Sequence, residues 1–184
     1  MSRRDALLIE LGTEELPPKA LPALSEAFAV GLEKQLRGAG FEFDGVERFA
    51  TPRRLAVRVL NLPAEQPERL ETRRGPAVSA AFDASGAPTK AAQGFARSCG
   101  VAVEALGRLE TAEGAWLAFE QRIAGRQLFD LVPDMVETAL AGLPIPKRMR
   151  WGDKTAEFVR PAHWLVMLYG DEVVPGTVLG LGAV

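Results

Sequence analysis

The sequence contains few of the residues that form disulfide bonds and catalytic sites. Among its 184 residues there is one cysteine, Cys99, and one histidine, His163. A single cysteine cannot form an internal disulfide, which excludes a disulfide framework. No stretch approaches the roughly 20 apolar residues of a transmembrane helix. The apolar run 6–11 is interrupted by Glu10 and is shorter than the roughly 7–15 residues of a signal-peptide core. We therefore expect a cytoplasmic protein without membrane contact.

Motifs of common catalytic sites are also missing. The sequence has no Walker-type phosphate loop, no Gly-x-Gly-x-x-Gly after a strand, no Gly-x-Ser-x-Gly elbow and no Cys/His metal set. A nucleophilic Cys99 would need His163 as its base, and we interpret the two as a passive thiol and a hydrogen-bonded structural residue. The sequence therefore predicts no catalytic residue, no metal site and no cofactor in this chain.

Composition indicates an ordinary globular protein. Apolar residues make up 47% and charged residues 25% of a 19.8 kDa chain, which fits one domain or two small ones. Lys plus Arg number 22 and Asp plus Glu 24, so the formal net charge is -2. This charge argues against polyanion binding over the whole surface but permits a local basic patch.

Strand-like and helix-like patterns alternate without the spacing of βαβ units. They predict an α+β fold, a mixed or antiparallel sheet with two main helices and a small helix-loop-helix insert. Helices are expected at 18–37 and 126–142, and strands at 6–11, 41–49, 53–62, 107–111, 115–123 and 164–169. Pro133 should kink the second helix or shift its start. The predicted division is an N-terminal α+β part at 1–75, a connector and insert at 76–106, and a part at 107–184 that could form one domain with 1–75.

The segment from Lys147 to His163 combines positive charge with aromatic rings. It contains Lys147, Arg148, Arg150, Lys154 and Arg160 against Asp153 and Glu157, which is five minus two, or +3; Trp151, Phe158, His163 and Trp164 lie among them. Arginine offers forked donors to phosphate, and aromatic faces stack on unpaired bases. The segment is therefore a candidate RNA contact. The alternative is a solvated loop whose tryptophans pack into the core.

Two further basic groups are Arg53 and Arg54 with Arg58, and Arg69 with Arg73 and Arg74. Arg54 and Arg58 should share a strand face and could line up phosphate contacts. Solvated edge positions explain such pairs equally well.

An acidic group follows the first predicted strand. Glu14 and Glu15, with Glu10 nearby, could act as acid and base or hold a divalent ion. The alternative is that they favour the positive end of a helix.

Six stretches resemble one protein family, and they follow its order along nearly the whole chain. They are LIELGTEELPPKAL at 8–21, FATPRRLAV at 49–57, RGPA at 74–77, PTKAAQGFAR at 88–97, PIPKRMRWG at 144–152, and FVRP at 158–161 followed by His163 and Trp164. The family is the β subunit of bacterial heterotetrameric glycine–tRNA ligase, of which this chain resembles the N-terminal region.

The resemblance implies a class II aminoacyl-tRNA ligase that joins glycine to its tRNA. It places ATP, with Mg, and glycine on the α subunit, and it gives the β subunit a part in tRNA binding. The implied partners are the α subunit, glycine tRNA and the remainder of the β chain. This region alone is expected to be non-catalytic.

Two functions therefore compete. In the first, the region positions tRNA; the candidate contacts are Lys147, Arg148, Arg150, Trp151, Arg160, Arg53 and Arg54. In the second, it is a structural scaffold between subunits, without RNA contact, and the same arginines are buried and paired with acidic side chains. A third hypothesis is a hydrolytic or editing site on Glu14, Glu15 and His163.

Overall fold

The computed structural model describes residues 3–151 and 156–184, and the chain forms two compact units. The first unit joins residues 1–67 with 125–184, and the second is Glu68–Ala124. Over the described residues the strands are β1 (Arg4–Thr13), β2 (Gly45–Thr51), β3 (Arg54–Pro63), β4 (Arg69–Ala77), β5 (Gly107–Thr111), β6 (Gly114–Ile123), β7 (Met149–Arg150), β8 (Glu157–Phe158), β9 (Ala162–Tyr169), β10 (Glu172–Val173), β11 (Thr177–Val178) and β12 (Leu181–Gly182). The α-helices are α1 (Leu21–Gly38), α2 (Val78–Ala81), α3 (Lys90–Cys99) and α4 (Val132–Ala141). The predicted α+β class is confirmed.

The first unit is built on one antiparallel sheet with strand order β10-β9-β1-β3-β2. Alternate side chains of its strands are buried on one face, which is the period-two pattern of a half-covered sheet. That inner face shares a core with α1 and α4. Leu24, Phe28, Leu32 and Leu36 carry the apolar stripe of α1, at the spacing the sequence predicts.

The second main helix is shorter than expected. The predicted helix 126–142 is a 3₁₀ turn at Leu128–Asp130 followed by α4, and Pro133 lies in the first turn of α4. Proline is tolerated there because its missing N–H would have no partner within the helix. Pro133 therefore shifts the start of the helix instead of kinking it.

The second unit is a three-stranded sheet of order β4-β6-β5 with α2 and α3 packed on it. β4 pairs with β6 from Arg69 to Ala77, and β6 forms a hairpin with β5. The predicted insert 76–106 lies within this unit. The unit also takes in β4 and the β5–β6 hairpin, because their ladder hydrogen bonds run to one another.

A buried tyrosine closes one end of the inner face. The Tyr169 hydroxyl lies 2.7 Å from the carbonyl oxygen of Leu62 and 3.0 Å from that of Arg3. Burial of the side chain raises its pKa above the ordinary value of 10.0. The folded protein therefore holds this proton at a pH where the unfolded chain has lost it, and the linked stability falls as pH rises past about 10.

We expect Tyr169→Phe to destabilise the chain by about 1 kcal/mol at neutral pH, since the hydrogen bond is lost. The difference in free energy of unfolding between wild type and variant should become smaller above pH 10, because only the wild type carries the ionisable phenol. Urea unfolding at pH 7 to 11 measures both effects. A gap that stays constant with pH would contradict this assignment.

Candidate nucleic-acid interface

Three segments that are distant in sequence meet at one end of the five-stranded sheet. Thr13, the last residue of β1, donates its backbone N–H to the carbonyl of Arg53 at 2.9 Å. The next residue, Glu14, donates to the carbonyl of Pro161 at 2.9 Å. The chain after β1 is thus fixed between the turn before β3 and the segment before β9. Three of the six stretches that resemble the family therefore lie together at this end of the sheet.

A bulge directs two side chains of β9 outward at this end. Gly12 pairs with Trp164, but Thr13 pairs with Ala162, so His163 has no partner in the ladder. An extra residue in one strand bends it locally and re-aims its side chains. His163 and Trp164 are consequently both exposed, although neighbouring positions of β9 are buried.

Glu14 links the two sides of the junction. One carboxylate oxygen lies 2.9 Å from Nε2 of His163, and the other lies 3.3 Å from a guanidinium nitrogen of Arg53. Both contacts are solvent-exposed, so each contributes little to stability. They nevertheless orient the side chains around the carboxylate. Two of the three residues of the hydrolytic hypothesis thus touch; that function stays a prediction.

Trp164 rests directly on the backbone of β1. A Cβ atom built on Gly12 would overlap the indole ring, so this position admits the tryptophan only because it is glycine. The indole remains 36% exposed. The guanidinium of Arg54 lies 5.3 Å from its ring centre and 3.4 Å from Glu10. The indole is thus held on the backbone of β1 with a cation over its ring.

Two shallow depressions adjoin at this end, with volumes of about 370 and 390 Å³. Glu14 and Arg53 line both of them. Arg54, His163 and Trp164 line the first, and Arg160 lines the second. The residues around the two depressions, Glu14, Arg53, Arg54, Arg160, His163 and Trp164, are called the sheet-end cluster below.

Arg160 is fixed through the backbone, because its Nε donates to the carbonyl of Glu15 at 3.1 Å. Within residues 3–151 and 156–184 it makes no ion pair, unlike Arg53 and Arg54. Thr13 Oγ1 is buried at the edge of the first depression and finds no hydrogen-bond partner among the same residues.

The other predicted RNA contacts are dispersed. Arg148 donates to the carbonyl of Ala141 at the C-terminus of α4, at 2.7 Å. Arg150 pairs with Glu157 across β7 and β8 at 2.7 Å and stays 69% exposed. Trp151 is half-buried against the core, as the loop interpretation proposed for it. Lys147 is exposed, and Lys154 lies outside the described residues.

The basic group of β4 lies in the second unit. Arg73 donates to the carbonyl of Ser98 at 3.1 Å, and the Arg74 guanidinium stands 3.8 Å from the ring centre of Trp116. Arg58 stays in the first unit, where it pairs with Glu47 at 2.6 Å.

Sequence reasoning missed the parts of this end that depend on register. The predicted strand 6–11 stops before Gly12, whereas Gly12 belongs to β1 and the indole of Trp164 packs on it. Phe49 ends the predicted strand 41–49 and does lie in β2, but its 51% exposure is not predicted by the sequence pattern. A glycine inside a strand is a general signal of close approach, and it could have indicated the first of these.

None of the helices in residues 3–151 and 156–184 has the length and apolarity needed to cross a membrane. Across the same residues, no group of three or more His, Cys, Asp or Glu side chains is arranged to hold a metal ion.

Comparison with known proteins identifies the family. The sequence model described as "Glycyl-tRNA synthetase beta subunit" matches residues 7–184. The chain is 54% identical over 176 residues to the glycine–tRNA ligase beta subunit of Haemophilus influenzae, which covers 96% of this chain and 26% of that protein. It is 52% identical over 183 residues to the same subunit of Hahella chejuensis, covering 100% of this chain and 26% of the relative.

The relatives in these matches are subunits of an aminoacyl-tRNA ligase. The chain belongs to the glycyl-tRNA synthetase beta subunit family, which confirms the resemblance. It spans about a quarter of the length of the curated relatives it matches, as an N-terminal fragment of them.

Proposed function

We propose that this chain serves glycyl-tRNA synthesis as part of a ligase β subunit, and that its sheet-end cluster positions glycine tRNA. The observation that carries the proposal is the convergence of Arg53, Arg160 and Trp164 at one surface from three separate segments. Guanidinium groups bind phosphate in a forked geometry, and an exposed indole offers a stacking surface. The cluster thus combines both kinds of contact that RNA uses.

The charges of the cluster support phosphate binding at two of its arginines. Arg160 has no ion pair within the described residues, so no carboxylate among them offsets its charge. The Arg53 side chain is 62% exposed and meets Glu14 at the outer limit of a good hydrogen bond, 3.3 Å. Such an exposed pair is weak, and a phosphate can compete for it.

The rest of the function follows the family resemblance. The chain works in the cytoplasm within a heterotetramer, together with the remainder of the β chain and the α subunit. ATP, with Mg, and glycine bind on the α subunit. The chain holds no cofactor of its own and supplies no catalytic residue; its contribution is to bring tRNA to the site on the partner.

The double variant Arg53→Ala/Arg160→Ala, placed in the assembled ligase, tests this function. We expect the KM for glycine tRNA to rise about tenfold, while kcat with saturating tRNA stays near wild type, because two phosphate contacts are lost. The slope of log K against log salt concentration should fall by roughly two. Steady-state charging at several salt concentrations measures both quantities.

The matched control removes the same charge at the opposite end of the sheet. Arg37→Ala/Arg126→Ala changes two exposed arginines near Ala39, whose carbonyl accepts from Gln66. This control should leave KM and the salt slope unchanged. Equal effects from both double variants would indicate a general charge effect, and no effect from either would refute tRNA positioning by the cluster.

A second candidate function is docking of the α subunit, because several arginines are paired with acids as the scaffold hypothesis requires. The pairs are Arg53 with Glu14, Arg54 with Glu10, and Arg150 with Glu157. The arginines of these pairs remain at least half exposed, however, and the scaffold hypothesis needs them buried. If Arg53→Ala/Arg160→Ala prevents subunit association and leaves tRNA affinity intact, docking is the function of this surface.

A further inference from the structure

The outer face of the five-stranded sheet, opposite the helices, carries two exposed aromatic rings. Strand register places Trp164 of β9 in a row with Gly12, Arg54 and Thr51. The adjacent row consists of Val166, Glu10, Ala56 and Phe49. Phe49 is 51% exposed and Trp164 is 36% exposed, so a partly open ring lies on each side of this face.

These rows do not belong to the core. Leu55 and Val57, on either side of Ala56, pack with the helices, whereas Ala56 is absent from that cluster although it is buried. Side chains alternate between the faces of a strand, so the Ala56 row faces away from the helices. The outer face is therefore a separate surface of the first unit.

Charge on this face is locally balanced. Arg54 lies 3.4 Å from Glu10, and Arg58 lies 2.6 Å from Glu47. The Arg58–Glu47 contact is short and Glu10 is only 19% exposed, so a phosphate competes less readily here than at the more exposed Arg53–Glu14 pair. The open rings of this surface suit the faces of unpaired bases, which stack without a charge requirement.

The geometry points to a single-stranded RNA segment as the ligand of this face, with unpaired bases stacked on Trp164 and Phe49. This inference rests on the proposed function and deepens it: Arg53 and Arg160 at the sheet end hold phosphates, and the outer face holds bases. Duplex RNA does not fit this role, because its bases are already stacked and their faces are closed.

The spacing of the rings suits a segment of more than one nucleotide. Trp164 and Phe49 are separated by three strand steps across the sheet order β9-β1-β3-β2, about 14 Å at roughly 4.8 Å a step, and by one row along the strands, about 7 Å. Gly12 lies under the Trp164 indole and Ala56 lies next to Phe49, so the paired side chains of Arg54 and Glu10 stand between the two rings. An extended chain that crosses the strands over this pair can place bases on both rings.

Labelled single-stranded RNA and its duplex of the same sequence are the probes. Binding to the 184-residue chain is measured by fluorescence anisotropy for the wild type and for Trp164→Ala, Trp164→Phe and Phe49→Ala. We expect Trp164→Ala to weaken single-strand binding by about 5- to 150-fold, because stacking contributes about 1–3 kcal/mol per base. Phe49→Ala should weaken it in the same direction, Trp164→Phe should retain most of the affinity, and duplex affinity should change less than twofold.

The control is Val173→Ala, which removes another exposed apolar side chain of the same sheet, 46% exposed, without removing a ring. It should leave single-strand affinity unchanged. If Trp164→Ala and Phe49→Ala also leave it unchanged while Arg53→Ala/Arg160→Ala still raises the KM for tRNA, the stacking inference is wrong and the proposed function stands. If the ring variants impair only association with the α subunit, the face is a protein-docking surface and the inference is likewise wrong.

Discussion

Replacing Phe28 with alanine is expected to lower the free energy of unfolding of the first unit by about 3–5 kcal/mol. Phe28 is fully buried in α1, within the core that this helix shares with the inner face of the sheet and with α4. A cavity forms because tightly packed neighbours can relax only in part. Gly31, one turn further along, already brings α1 close to Ala139 of α4, so the helices have little freedom to close the gap.

The matched control lies two residues away in the same helix. Val30 is 57% exposed, so Val30→Ala removes apolar atoms without opening a cavity and should change stability by less than about 0.5 kcal/mol. Because the chain has two units, hydrogen exchange at the amides of β1 reports the first unit directly. Similar losses for the two variants would show that Phe28 is not a core residue.

The helical core could be predicted because its pattern is local. Leu24, Phe28, Leu32 and Leu36 repeat at the helical period and are buried as expected. The same approach fails at Phe41 and Phe43, where it predicts the start of a strand too early. They alternate with acidic residues as a strand would, but β2 begins only at Gly45, and both rings are buried in the loop before it.

Sequence periodicity does not predict which strands pair with one another or where pairing ends. The alternation of β9 predicts a strand from Trp164 to Tyr169. The apolar residues that follow Gly170 and Asp171 predict a return strand through Val173 to Leu179, and this prediction is wrong as one long strand. The chain instead makes the two-residue β10 and then pairs β11 with β12. Pro175 and Gly176 fall between β10 and β11, where a proline removes a ladder donor.

The candidate site was predicted in pieces and assembled only by the fold. Arg53, Arg54 and Arg160 were named from their charge, yet nothing in their spacing indicates that they surround Glu14. The bulge at His163 decides the direction of two side chains, and a bulge is a property of two strands together. Composition thus named the candidate residues, while register determined which of them share a surface.

Gly12→Ala should destabilise the first unit by about 1–3 kcal/mol, because the new methyl group takes the space of the Trp164 indole. The ring must leave the backbone of β1, so its contact with Arg54 is lost as well. Gly45→Ala is the control: it is also a strand glycine of this sheet, and a Cβ there meets nothing within 4 Å. Urea unfolding of the two variants gives the comparison, and equal small losses would contradict the packing.

A double-mutant cycle identifies the indole as the source of that cost. All three nearest neighbours of a Cβ at Gly12 belong to Trp164, so Gly12→Ala made in a Trp164→Ala background should cost little. We expect a coupling energy close to the full loss in free energy of unfolding that Gly12→Ala causes alone. If Gly12→Ala lowers the free energy of unfolding equally in the absence of the indole, the strain lies in the backbone of β1, and packing of Trp164 on Gly12 is not its cause. Because ring position and stability respond to the same glycine, single-strand RNA affinity should fall with Gly12→Ala and not with Gly45→Ala.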